Sequence, residues 1–210
     1  MLKDRKILVL APHTDDGELG CGATIARAQE EGATIFYAAF STADESVPEG
    51  FPRNQLEKEV RKATRILKIQ DEHLLVYKYE VRKLNYVRQE ILEELIRLRT
   101  GINPDLVFMP SLRDIHQDHQ VIAAEGLRAF KNSSLLGYEL IWNNRTFDTD
   151  CFIPVSQRHL KLKIKALQAY QTQQGKNFMD PGFITSMATV RGTQIGVKYA
   201  EAFEVIRWII

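Results

Sequence analysis

Short apolar runs separated by helical patterns are the feature that most narrows what this chain can fold into. Ile7, Leu8, Val9, Leu10 and Ala11 form one such run, stopped by Pro12, as expected of a strand buried on both faces. From about Gly20 to Gly32, Ile25, Ala26 and Ala28 fall at helical spacing, and Gly32 suits a C-terminal cap. Residues 34–40 return to a strand pattern and complete a βαβ unit, for which a right-handed crossover is expected. Helical patterns then cover residues 53–67, 87–98, 120–130 and 157–173, and strand patterns residues 74–77, 105–109 and 137–142. Residues 200–208 read as a late edge element. This alternation predicts an α/β fold with a mostly parallel sheet and helices on both faces. The polar segment 41–52 carries two prolines, and a loop of its length is expected to line or gate a cleft.

Nothing in the composition divides this pattern. The 210 residues contain no Pro/Gly/Ser-rich linker and no internal repeat, so one domain over residues 1–210 is expected. Lys plus Arg total 28 against 27 for Asp plus Glu, which removes a global electrostatic case for nucleic acid or an anionic membrane. No apolar run is long enough to cross a bilayer, and the first is too short for a signal-peptide core. A cytoplasmic protein without a transmembrane segment is therefore expected, with a homo-oligomer left open. Cys21 and Cys151 do not make a disulfide framework in a chain of this size, and both are expected to be reduced.

Ligands of such sheets bind beyond the carboxyl ends of the strands. Pro12, His13, Thr14, Asp15 and Asp16 follow the first strand; His116, Gln117, Asp118 and His119 fall in the loop after the fourth, at the same sheet edge. Three imidazoles and three carboxylates suffice for a two-His, one-carboxylate metal site, with groups left over for acid–base chemistry. Each motif alone has an ordinary structural explanation, His13 as a hydrogen-bonded turn residue and the aspartates as helix caps. Packed together they would be costly without a compensating cation. A dinucleotide site is disfavoured: Gly17, Gly20 and Gly22 miss the G-x-G-x-x-G spacing, and Asp15, Asp16 and Glu18 would repel a pyrophosphate. Two alternatives keep the metal, a non-haem iron oxygenase and a metal-containing carbohydrate-binding module without turnover.

Residues 11–16, followed by Gly20, Cys21 and Gly22 and by His116 to His119 downstream, resemble the GlcNAc-phosphatidylinositol de-N-acetylase-like family, also called PIG-L or LmbE-like. Arg191, Gly192, Gly196 and residues 199–203 resemble its C-terminal signature, so the resemblance spans nearly the whole chain. It implies a single Rossmann-like domain, a zinc site (another divalent metal being an alternative) and a metal-dependent N-deacetylase. The partner implied is a small N-acylated amino sugar or conjugate, most simply N-acetylated. Residue by residue, it implies that His13, Asp16 and His119 hold the metal, that Asp15 is the general base, and that His116 and Asp118 work as a catalytic pair.

In that scheme zinc lowers the pKa of bound water to about 7 and polarises the amide carbonyl. Asp15 accepts the water's proton, and a protonated His116 oriented by Asp118 stabilises the oxyanion. The leaving amine takes its proton from Asp15 or His116. Two departures from the family pattern stand beside the metal: Thr14 replaces the usual proline, and the acid after the paired aspartates is displaced by Gly17 to Glu18. Arg53 resembles a substrate-contacting arginine, Tyr199 is a further candidate donor to substrate, and Arg145 is weaker than either. Cys21 is read as helix packing. His73 and His159 are read as structural or surface groups, and Lys161, Lys163 and Lys165 as a solvated helix face.

Overall fold

In the computed structural model, which describes residues 2–209, the first strand lies in the interior of the sheet. β1 (Lys6–His13) pairs in parallel with β2 (Thr34–Ser41) on one side and β4 (Leu106–Pro110) on the other. Outward from these, β3 (Leu74–Val76) joins β2 and β5 (Ser134–Tyr138) joins β4, both in parallel. β6 (Cys151–Pro154) and β7 (Ala200–Arg207) complete the order β3-β2-β1-β4-β5-β7-β6, with β7 antiparallel to both its neighbours. The expected edge element is thus an interior strand, and β6 is the edge. Pairing partners, which a strand's own sequence does not encode, decide this.

Alternate residues of β1 enter opposite cores. Ile7, Val9 and Ala11 pack with α1 (Asp16–Glu30), α2 (Gln55–Ile66) and α5 (Gln157–Leu167). Leu8 and Leu10 pack with α3 (Arg88–Ile102) and α4 (Gln117–Ala129). Both faces are covered, which is why the strand is apolar throughout. α6 (Pro181–Gln194) has no counterpart among the sequence expectations, because Thr185, Ser186, Thr189, Gly192 and Thr193 blur its apolar stripe. Its start is nonetheless encoded: Asp180 accepts from the Phe183 amide at 2.9 Å and Pro181 opens the helix.

α1 is broken at Cys21 (φ −142°, ψ 22°), and distant residues satisfy the groups freed there. Glu201 on β7 accepts from the amides of Ala23 and Thr24 at 3.2 and 2.7 Å. Lys163 on α5 donates to the Leu19 carbonyl and to Glu201, both at 2.6 Å. Lys163 is therefore buried instead of solvated, and Glu201 caps the second half of α1 from across the fold. Losing the lysine alone strands a buried carboxylate, so Lys163→Met should cost about 3–5 kcal/mol in denaturant unfolding. Lys163→Met with Glu201→Gln should recover part of that loss; a single-variant cost below about 1 kcal/mol would mean the pair contributes no more than a solvated one.

Candidate active site

The sheet order reverses at β1 and β4, so the carboxyl ends of these strands flank a crevice. His13 closes β1 and Asp16 opens α1. The second motif is helical instead of a loop: His116 is the N-cap of α4, and Asp118 and His119 stand in its first turn. Its polar residues interrupt the apolar stripe, which hides the first turn from a periodicity reading.

His13 Nδ1 lies 3.1 Å and His119 Nε2 3.2 Å from Asp16 Oδ2, and the two nitrogens are 3.2 Å apart. The outer ring nitrogens are engaged elsewhere. His13 Nε2 is 3.0 Å from Asp118 Oδ2, and His119 Nδ1 is 2.7 Å from Asp114 Oδ2. Ionised carboxylates only accept, so both outer nitrogens donate, and each neutral ring then presents a lone pair inward. Two lone pairs and a carboxylate oxygen converge on one point, an arrangement that requires a cation. With no metal a proton serves. Burial opposes the charge on His13, yet Asp16 and Asp118 raise its pKa to about 9; against the same burial, Asp16 and Asp114 raise His119 to about 10. Asp16 stays well below the usual carboxylate range despite burial, because His119 and His13 flank it.

This donor set, with each ring backed by a carboxylate, fits zinc or a similar divalent ion with coordination positions left open. His13, His116 and His119 form a second set, with one donor atom each within 4.8 Å of one another. Asp16 is the better third ligand, since its oxygen already touches both other donors and supplies negative charge. Asp114 is absent from the sequence expectations, although the alternation Asp114, His116, Asp118 is a signal that points to it.

His116 and Asp118 do not form the expected pair. Asp118 accepts from the Arg82 amide at 2.6 Å as well as meeting His13, while His116 Nδ1 accepts from the Asp118 backbone amide at 3.2 Å. Burial, then the charges on His119 and His13, lower the pKa of His116. Its neutral ring must carry its proton on Nε2, because Nδ1 is accepting.

Asp15 stands at the N-cap of α1 but makes no side-chain cap, so capping does not account for it. It lines an open cleft of about 900 Å³ together with His116, Arg82, Trp142, Gln173 and Lys176. Burial and then Asp16 push its pKa up to about 6. Ala43 and Ser46 bring the 41–52 loop to the cleft, and Leu56 brings α2. Arg53 and Tyr199 are not among the cleft-lining residues. Arg53 points into solvent 3.9 Å from Glu45, and Tyr199 packs against the core with Lys198 over its ring. Cys21 is buried with its thiol on the Gly17 carbonyl, and Cys151 is likewise a free thiol. His73 packs on Phe36, and His159 forms a capping box with Ser156.

Behind the motif, the displaced acid has its own niche. The hydroxyls of Tyr37 and Tyr170 donate to the Thr14 carbonyl at 3.0 and 2.7 Å, and both also touch Glu18. Tyr37 has one proton and two acceptors, so a protonated Glu18 supplies the one missing. Burial pushes Glu18 up to about 8. Gly17 is required here, since a Cβ would fall 2.5 Å from the Tyr37 ring. The folded state thus binds the Glu18 proton more tightly than the unfolded chain. Its contribution to stability is greatest below the ordinary value of 4.5 and is lost as pH rises to about 8. Glu18→Gln, neutral at every pH, should flatten this part of the melting-temperature profile; an unchanged slope between pH 5 and about 8 would show Glu18 ionised throughout.

Comparison with known proteins finds relatives over most of the chain. The chain is 22% identical over 96% of its length, and 83% of the relative's, to diacetylchitobiose deacetylase of Thermococcus kodakarensis. It is 26% identical to the uncharacterized deacetylase YaiS of Escherichia coli, over 81% of this chain and 92% of that one. Among solved structures, the conserved protein TT1542 of Thermus thermophilus superposes with a TM-score of 0.82 at 27% identity, covering 98% of this chain and 96% of the other. The profile of the GlcNAc-PI de-N-acetylase family matches residues 8–130, a span that contains both halves of the cation site and more than half of the chain. This chain belongs to the GlcNAc-PI de-N-acetylase (PIG-L) family.

Proposed function

We propose that this protein is a zinc-dependent hydrolase that removes the N-acetyl group from an amino sugar or amino-sugar conjugate. The observation that carries this reading is the convergence of His13 Nδ1, His119 Nε2 and Asp16 Oδ2, with Asp15 beside it in the same cleft. Relatives named as deacetylases, among them one for diacetylchitobiose, support the substrate class.

His13, Asp16 and His119 would hold the ion, which supplies an acidified water and a polarised amide carbonyl. Asp118 and Asp114 fix the tautomers of the two ligand rings, so that both lone pairs face inward. Asp15, ionised above about pH 6, takes the proton from the attacking water. His116 enters as a neutral ring and donates from Nε2 to the developing oxyanion; Asp118 does not charge it. Asp15, carrying the transferred proton, is then the group that hands it to the departing amine. Arg53 and Tyr199 take no direct part in this scheme, whereas Arg82, Gln173 and Lys176 are placed to meet the sugar.

The test is to incubate the zinc-loaded protein with a panel of N-acetylated sugars and conjugates and to follow acetate. Acetate released together with a free amine is the expected result. A chain that binds these compounds but releases nothing would be a carbohydrate-binding module instead.

A further inference from the structure

Glu59, on α2, is a carboxylate only 2% exposed whose hydrogen-bond partners, among the described residues, are all neutral. Burial without a cation is costly, and an apolar side chain would fill the place without that penalty. The carboxylate grips one distant segment instead. Its Oε2 accepts from the Thr172 hydroxyl at 2.6 Å and its Oε1 from the Thr172 amide at 3.2 Å, while Gln55 Nε2 donates to Oε1 at 3.1 Å. The hydroxyl, its one proton given to Glu59, accepts from Gln173 Nε2 at 3.1 Å, and Gln173 Oε1 accepts from Lys176 Nζ. Lysine only donates and a carboxylate only accepts, so the two ends fix the direction of every bond between them. Lys176 Nζ lies 5.6 Å from the centre of the Phe178 ring, which stacks on Trp142 with centroids 4.3 Å apart.

Gln173, Lys176, Phe178 and Trp142 line the metal cleft, whereas Glu59 and Thr172 do not. The relay therefore runs from the buried side of α2 to groups that face the substrate. We propose that Glu59 and Thr172 are positioning residues, which never touch the sugar but hold Gln173 and Lys176 where these bind it. The kinetic consequence rests on the hydrolase function proposed above; the relay itself does not.

Thr172→Val keeps the shape of the side chain and removes the hydroxyl that joins the two halves of the relay. Groups that bind the sugar equally in ground and transition states act on KM and leave kcat. KM for acetate release from N-acetylglucosamine, and its calorimetric Kd, should rise about three- to tenfold, the worth of one hydrogen bond, with kcat little changed. Thr172→Ser should restore both. Glu59→Gln keeps an oxygen for the Thr172 amide but sets an amide against a hydroxyl that must donate, so it should move KM the same way. Thr64→Val is the control: it removes a hydroxyl that bonds the Val60 carbonyl at 2.8 Å within the same helix, and should lower the melting temperature without moving KM. A second readout needs neither sugar nor turnover. In a Trp208→Phe background Trp142 is the sole tryptophan, and its quenching by acrylamide should rise in Thr172→Val and return to the starting value in Thr172→Ser. A protein that released no acetate would lose the hydrolase function while the relay was still decided by Trp142. Unchanged Trp142 quenching in Thr172→Val would overturn the relay. A lower melting temperature with unchanged KM and Kd would leave Glu59 a stabilising residue only, and would overturn the positioning role.

Discussion

Asp15→Asn is expected to keep the fold and the metal while lowering turnover by about a hundredfold or more. Asn matches Asp in shape but has no basic oxygen, so the variant removes proton transfer and little else. No helix amide depends on the Asp15 side chain, since it makes no cap on α1. The neighbouring Asp16 is the opposite case: its oxygen also accepts from the His13 amide at 2.8 Å, and its loss disturbs the turn as well as the cation site. The pH profile adds a second readout. Burial and Asp16 raise Asp15 to about 6, and a cation at the triad pulls it back down. Activity of the wild type should therefore rise with pH to a limb at or below about 6, and that limb should change in Asp15→Asn. Near-normal metal content with near-normal turnover in this variant would remove Asp15 from the chemistry.

The second large effect is expected at His119. His119→Ala takes away one of three donors and leaves Asp16 and His13 facing each other without the third arm, so metal and activity should both be lost. Asp114→Asn is the graded version, because it keeps every ligand but weakens the acceptor behind the His119 ring. A loss of about ten- to a hundredfold in metal affinity is expected there, read by chelator competition. His116→Ala should behave differently again, retaining metal while turnover falls by about a hundred- to a thousandfold. If His116→Ala loses metal and Asp16→Ala keeps it, the three-histidine grouping is the true ligand set.

Much of this was legible in the chain itself. The apolar runs ending at Pro12 and Pro110 mark the central strands, because a strand covered on both faces must be apolar throughout. Strand ends are where such sheets bind ligands, and that rule alone brings His13, Asp15 and Asp16 together with His116, Asp118 and His119. Local pattern fails where partners are distant. Lys163 sits among lysines spaced like a solvated face, and only the break in α1 and Glu201, 38 residues away, turn it inward. Asp118 neighbours His116 in sequence but serves His13, 105 residues away, because the first turn of α4 directs its carboxylate towards the end of β1. Arg53 precedes a helix whose cleft-lining residue is Leu56. Residue types and the alternation of strands and helices are written in local composition, whereas which strands pair, and which carboxylate orients which ring, depend on positions set only once the elements dock on one another. Hydrogen bonds act over about 3 Å, and only the tertiary structure fixes positions that finely.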